Sequence, residues 1–214
     1  MTTIAEILAA SPVMPVIVLD RVEDAVPLAE ALIGGGIRVL EITLRTPAAL
    51  DGVRAIRKAL PDALVGVGTI TNVAELDAAR AAGARFGVSP GTTPDLLAHA
   101  AGWHFPFLPG TMTPSDVMRA FGAGFAAMKL FPARQAGGVE MLKALGGPFP
   151  HVTFCPTGGI DGDSAASYLA LPNVACVGGS WLSPPALVLS RDWAEIRRRA
   201  KAAAQLSRNP GTPG

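Results

Sequence analysis

The sequence predicts an α/β chain folded as a (β/α)8 TIM barrel with a short N-terminal helix, and three observations predict it. Apolar runs of strand length recur eight times, helical patterns separate them, and glycine closes most of those patterns just before the next run. Strands alternating with helices make βαβ units and therefore a parallel sheet. Eight such units in 214 residues point to a closed barrel at the small end of its size range. The competing architecture is an open doubly wound sheet. It normally carries a G-x-G-x-x-G turn after its first strand, and "VIVLDRVEDA" has none.

Along the chain, residues 1–10 form a short helix ahead of the barrel. The strands are "MPVIVL" (14–19), "VLEITL" (39–44), "LVGVGT" (64–69), "FGVSP" (86–90), "FPFLPG" (105–110), "AAMKLF" (126–131), "TFCPTGG" (153–159) and "ACVGGS" (175–180). Between them "VEDAVPLAEALIGGG", "AALDGVRAIRKAL" and "NVAELDAARAAGA" space their apolar residues as a one-faced helix does. A final helix covers 192–206, so a single domain spans 1–206 and residues 207–214 form a flexible tail.

Composition narrows the function. Half the residues are hydrophobic, 16% are charged, and the net charge is +1, which offers no electrostatic case for nucleic acid or an acidic membrane surface. The start "MTTIAEILAASP" lacks a basic region and is too short for a signal peptide. No run approaches the roughly 18 apolar residues of a membrane span. Cys155 and Cys176 form neither a metal spacing nor a disulfide framework. A cytoplasmic protein with no nucleic-acid or membrane partner is expected.

Residues two apart in a strand share a face. In 39–45, Leu40, Ile42 and Leu44 form one face, suited to packing beneath helices. The other carries Val39, Glu41, Thr43 and Arg45, so a carboxylate and a guanidinium point inward, toward the C-terminal mouth where such barrels hold their active sites. The same parity puts Lys129 on a face with Ala127 and Phe131, while Met128 and Leu130 face helices. Of the four lysines, Lys58, Lys143 and Lys201 fall in helical segments; Lys129 alone lies in a strand. A structural salt bridge with Glu41 is one reading. Desolvated charges are costly, however, and a barrel built only for stability avoids them. The other reading is a catalytic amine. Burial and a nearby cation favour the neutral nucleophile, whereas a nearby carboxylate favours the ammonium.

"PTGGI" (156–160) and "VGGS" (177–180) end the seventh and eighth strands. Two glycine pairs there suit a phosphate cradle, with Ser180 adding a hydroxyl. Thr69 and Pro90 end the third and fourth strands; Thr69 either donates to a carboxylate or caps its turn. His99, His104 and His151 lack metal-ligand spacing, "RRRAK" (197–201) reads as a solvated helix face, and Trp103, Trp181 and Trp193 read as packing residues.

A buried amine, an adjacent carboxylate, a cationic clamp and a phosphate cradle suit one chemistry. The amine forms a Schiff base with a keto group, the imine draws electrons from a breaking carbon–carbon bond, and the carboxylate moves protons. No metal or cofactor is required. The stretches "PVMPVIV", "GGIRVLEITLRT", "VGVGTI", "GVSPG", "MKLFPA", "GGPFPHVTFCPTGGI" and "CVGGSWL" resemble those of the 2-keto-3-deoxy-6-phosphogluconate (KDPG) and 4-hydroxy-2-oxoglutarate (KHG) aldolases. That resemblance implies a homotrimeric class I aldolase cleaving KDPG to pyruvate and glyceraldehyde 3-phosphate, in a family whose promiscuity extends to cleavage of 4-hydroxy-2-oxoglutarate. It makes Lys129 the Schiff-base lysine, Glu41 the proton carrier, Arg45 and Thr69 the carboxylate site, and Phe131 an apolar wall. It brings Thr157 near the reacting carbons and Gly158, Gly159, Gly179 and Ser180 to the phosphate, with Pro90 at the mouth. "AGWHFPFLPG" and "GTMTPSD" match the family only loosely. Rival readings are an isomerase or cyclase using Glu41 and Lys129 as acid and base, an aldolase for the galactonate epimer, and a sugar-phosphate-binding barrel without catalysis.

Overall fold

A computed structural model describes residues 2–209. Its strands are β1 (Val13–Ile17), β2 (Val39–Thr43), β3 (Leu64–Gly68), β4 (Gly87–Val88), β5 (Phe107–Leu108), β6 (Gly110–Thr111), β7 (Ala127–Leu130), β8 (Thr153–Pro156) and β9 (Val177–Gly179). All the pairings are parallel. The sequence reading needs correcting on continuity. The strands form a six-stranded sheet in the order β5-β4-β3-β2-β1-β9 and a three-stranded sheet β6-β7-β8, rather than one ladder of eight.

The run expected at 105–110 supplies two short strands because Pro109 falls between them. Proline has no N–H to give to a ladder, so β5 pairs back to β4 and β6 forward to β7. Pro109 still accepts, through its carbonyl, from the Lys129 N–H at 2.9 Å. Isolated parallel bridges, Phe154 with Val174 and Thr157 with Gly178, join β8 to the β9 segment. The expected strands at 86–90 and 153–159 stop earlier, at Val88 and Pro156, which leaves Pro90 and the 157–159 stretch in loops.

The helices are α1 (Ile4–Ala9), α2 (Ala25–Gly34), α3 (Ala49–Ala59), α4 (Val73–Ala81), α5 (Pro94–Gly102), α6 (Pro114–Gly122), α7 (Gly138–Gly146), α8 (Ala165–Leu169), α9 (Pro185–Leu189) and α10 (Trp193–Ala204). Their starts are legible in side-chain chemistry. Thr3, Asn72, Thr93, Thr113 and Asp192 each accept from a backbone N–H three residues on. "TPSD" in the loosely matching 110–116 stretch is a capping box: Thr113 and Asp116 satisfy each other's backbone N–H, with Pro114 opening the helix. Gly36 and Gly83 follow α2 and α4 at φ of +99° and +89°, as left-handed helix ends require.

Two apolar cores result. The larger lies between the sheet's outer face and the helices and contains Leu40, Ile42, Met128 and Leu130. The smaller contains Met14, Val39, Phe86, Val88, Leu108, Ala127, Cys155 and Cys176, and is joined by Ile7 and Leu8 of α1. The parity reading of β2 and β7 is therefore correct: alternate residues of one strand divide between the two cores. Burying Ile7 and Leu8 among residues from the strand starts sets α1 against the N-terminal end, where a cavity of about 930 Å³ lies between Ile4, Ala5 and Leu8 and the starts of β7 and β8. Among the described residues no helix is long and apolar enough to cross a membrane. Residues 210–214 of the expected tail lie outside the described residues; just before them Asn209 donates to the carbonyls of Leu169 and Ala170.

Candidate active site

Lys129 and Glu41 are both buried, 5% and 1% exposed, on inward-facing positions of β7 and β2. Lys129 Nζ donates to Glu41 Oε1 at 3.2 Å. The two are 88 residues apart in the chain, so the contact belongs to the tertiary fold. Glycine on the neighbouring strand makes room for the carboxylate at Gly68, and inward-facing glycines nearby clear space for other groups. Gly66 and Gly68 follow Leu64 at period two on β3, facing inward. A Cβ on Gly66 would meet the Phe86 ring at 2.4 Å, and one on Gly68 would meet Glu41 Oε1 at 2.0 Å. On the other side, Lys129 pairs in register with Gly110, where a Cβ would strike the Pro90 backbone at 2.3 Å.

Gly68→Ala therefore drives the Glu41 carboxylate from its place while leaving the strand paired, since the clash is with a side-chain end rather than backbone. The expected result is a folded protein whose kcat falls about 10²-fold, the usual cost of moving a reacting group by about 1 Å. An unchanged kcat would mean that the position of Glu41 is not critical.

Beside this pair a cleft of about 430 Å³ is lined by Arg45, Phe131, Thr157, Gly158, Gly159, Gly179 and Ser180, together with Val16, Val18, Ile160, Gly178, Ser183 and Pro185. Seven of the predicted site residues thus meet at one surface. Phe131 links it to the amine, its ring centroid 5.2 Å from Lys129 Nζ. Arg45 is exposed just past the end of β2 and enters no hydrogen bond or ion pair among the described residues. Gly158 and Gly159 have φ of +104° and +74°, and side chains there would run into Pro132 and Arg134. Their glycine identity is therefore needed for both backbone conformation and close packing.

Buried Thr157 touches the inner core: its hydroxyl donates to the Cys155 carbonyl at 3.4 Å. Gly178 opposite has no space for a Cβ, which would meet Thr157 Oγ1 at 2.1 Å. Beneath, Cys176 Sγ donates to Cys155 Sγ at 3.5 Å. That hydrogen bond, together with burial, pushes the Cys176 thiol well above its ordinary pKa.

Thr69 and Pro90 do not line this cleft. Thr69, directly after β3, has φ +64°. For a β-branched residue that is a strained conformation, costing on the order of 1–3 kcal/mol, and such strain concentrates at functional sites. The histidines stay apart: His99 pairs with Asp77 at 2.8 Å. Among the described residues no group of three or more His, Cys, Asp or Glu stands close enough to hold a metal ion.

Strand parity did not single out Gly66, Gly68, Gly110 or Ser183, and Gly178 was read only as half of the glycine pair in "VGGS". The repeated glycine in "VGVG" was a usable signal, because two glycines on one face of a strand clear space for something large opposite.

Parallel α/β architecture, a buried lysine–carboxylate pair and a glycine-lined cleft near the strand ends define a class of protein that can do amine-based chemistry on a small anionic substrate. Comparison with known proteins narrows the class. The family model for KDPG and KHG aldolase matches residues 4–199. A 2-dehydro-3-deoxy-phosphogluconate aldolase of Pseudoalteromonas atlantica is 50% identical over 198 residues, covering 92% of each chain. The KHG/KDPG aldolase of Escherichia coli K12 is 46% identical, covering 95% of this chain and 96% of its own. The fold is similar to a crystal structure of KDPG aldolase from Legionella pneumophila, in which pyruvate was captured at low pH as a covalent carbinolamine intermediate. The TM-score is 0.94 at 46% identity, with 95% and 99% of the two chains covered. The chain belongs to the KDPG/KHG aldolase family.

Proposed function

We propose that this protein is a class I aldolase that cleaves KDPG to pyruvate and glyceraldehyde 3-phosphate, with Lys129 as the imine-forming residue. The observation that carries the reading is the buried Lys129–Glu41 pair at 3.2 Å beside the glycine-lined cleft. The relative's covalent pyruvate adduct supports it.

In this scheme the Lys129 amine adds to the C2 keto carbon of the substrate, and the keto oxygen takes up a proton to give a carbinolamine. Loss of water leaves a protonated imine. Glu41 accepts the proton of the C4 hydroxyl; the C3–C4 bond breaks, and its electron pair moves toward the imine nitrogen. The aldehyde half departs as glyceraldehyde 3-phosphate. The enamine left on Lys129 is protonated at C3, with Glu41 returning the proton, and water then releases pyruvate and the free amine.

The other groups hold the substrate. Arg45 binds the C1 carboxylate through paired charged hydrogen bonds, and Thr69 adds its hydroxyl. The strained backbone at Thr69 and the lack of a protein partner for Arg45 support these roles. Phe131 walls the imine, Thr157 borders the reacting carbons, and Pro90 shapes the mouth. Gly158, Gly159, Gly179 and Ser180 receive the phosphate.

We also place the strands in one closed (β/α)8 barrel, counting β5 and β6 as a single strand interrupted at Pro109. The bridges between β8 and the β9 segment support closure. The protein works in the cytoplasm as a homotrimer. Met112, Met118 and Phe121 lie exposed at and just before α6, and they offer apolar surface for the contact between copies.

The test is a lactate dehydrogenase-coupled assay of pyruvate release from KDPG, its galactonate epimer and KHG. KDPG is expected to give the highest kcat/KM. Pyruvate from none of the three would overturn the aldolase reading, and a preference for the epimer would correct the substrate.

A further inference from the structure

Ser183, which no feature of the sequence had singled out, lines the cleft with a buried hydrogen-bonding group left unused. It is 5% exposed, and its hydroxyl has no hydrogen-bond partner among the described residues. A buried hydroxyl in that state is destabilising, so its presence asks for a reason. Ser183 lines the cleft together with Gly158, Gly159, Gly179 and Ser180.

Its surroundings offer little other polarity. The Ser183 N–H donates to the Ser180 carbonyl at 3.3 Å, and Pro184 and Pro185, which follow, have no N–H at all. The hydroxyl is then the one donor that the 183–185 wall can offer an anion. A serine hydroxyl takes any of three staggered positions by rotation about a single bond, and such a reorientation needs no backbone movement.

We propose that Ser183 donates a hydrogen bond to the terminal phosphate of the substrate, alongside the glycine loops, and thereby sets the preference for phosphorylated over unphosphorylated keto acids. This rests on the aldolase reading and on its assignment of the phosphate to the glycine loops.

The experiment measures KM and kcat of wild type and Ser183→Ala with KDPG and with KHG, which has no phosphate. It also measures competition by inorganic phosphate. Ser183→Ala is expected to raise the KM for KDPG and the Ki for phosphate about ten- to a hundredfold, the usual loss for one hydrogen bond to a charged group. The kcat and all KHG constants are expected to stay unchanged. The melting temperature should hold or rise, because an unpartnered hydroxyl has been removed; were Ser183→Ala insoluble, Ser183→Cys, a weak donor of similar size, carries the same comparison. If wild type is inhibited by phosphate and the variant matches it in both KM and Ki, Ser183 is not a phosphate ligand and the rest of the reading stands. If phosphate does not compete even in wild type, the phosphate assignment fails and Ser183 fails with it.

Discussion

Lys129→Met is expected to abolish cleavage, with kcat for KDPG lower by at least about 10⁴-fold and no covalent intermediate formed with pyruvate. Methionine has nearly the length of lysine and fills the same inward position of β7, so cavity formation is not the cause. In the proposed mechanism, what is lost is the lone pair that adds to the keto carbon and the nitrogen that accepts the electrons of the breaking bond. No neighbouring amine can take over, because Lys58, Lys143 and Lys201 lie exposed on α3, α7 and α10.

The same substitution tests whether the pair exists for stability. Removing one partner of a buried ion pair strands the other charge and costs about 3–5 kcal/mol. For a chain of this size that lowers the melting temperature on the order of 10 °C. The double variant Glu41→Leu, Lys129→Met removes both charges and is expected to recover most of the loss while remaining inactive. Recovery of stability without activity would show that the pair is kept for chemistry. A double variant no more stable than the single would instead mean that the pair is a net contributor to the fold.

Glu41→Gln is expected to lower kcat by about 10²–10⁴-fold, the range for losing a positioned proton carrier, with a smaller change in KM. The amide keeps the size of the carboxylate and can still accept from Lys129, so the imine should still form. It cannot take the C4 hydroxyl proton or return one to the enamine. The discriminating readout is exchange of the pyruvate methyl protons with deuterated water. Exchange should collapse in Glu41→Gln even though pyruvate remains trappable on Lys129. Undiminished exchange would assign the proton transfer to another group.

How much of this was legible in the sequence depends on which kind of information each feature needs. The inward positions of Glu41 and Lys129 follow from strand periodicity alone, because a period of two sorts a strand's residues between its faces without knowledge of any partner. Their contact does not follow, since it depends on how β2 and β7 are arranged in space, and nothing within either strand encodes that. The helix starts were readable because capping is local, as at Thr113–Asp116. The break at Pro109 was also written in the chain, but it fell inside an apolar run whose hydrophobicity masked the missing N–H. Gly68 escaped notice because its role is to be empty opposite a larger side chain. Ser183 escaped for the opposite reason: a lone serine before two prolines has no pattern, and only the fold puts it in the cleft.

The central claim is a covalent bond between Lys129 and the substrate's keto carbon, and borohydride reduction in the presence of pyruvate tests it most directly. Intact mass should rise by one reduced pyruvyl unit per chain, and peptide mapping should place that unit on Lys129, with none gained by Lys129→Met. Folded protein that gains no mass, or a unit mapped to another lysine, would contradict the account.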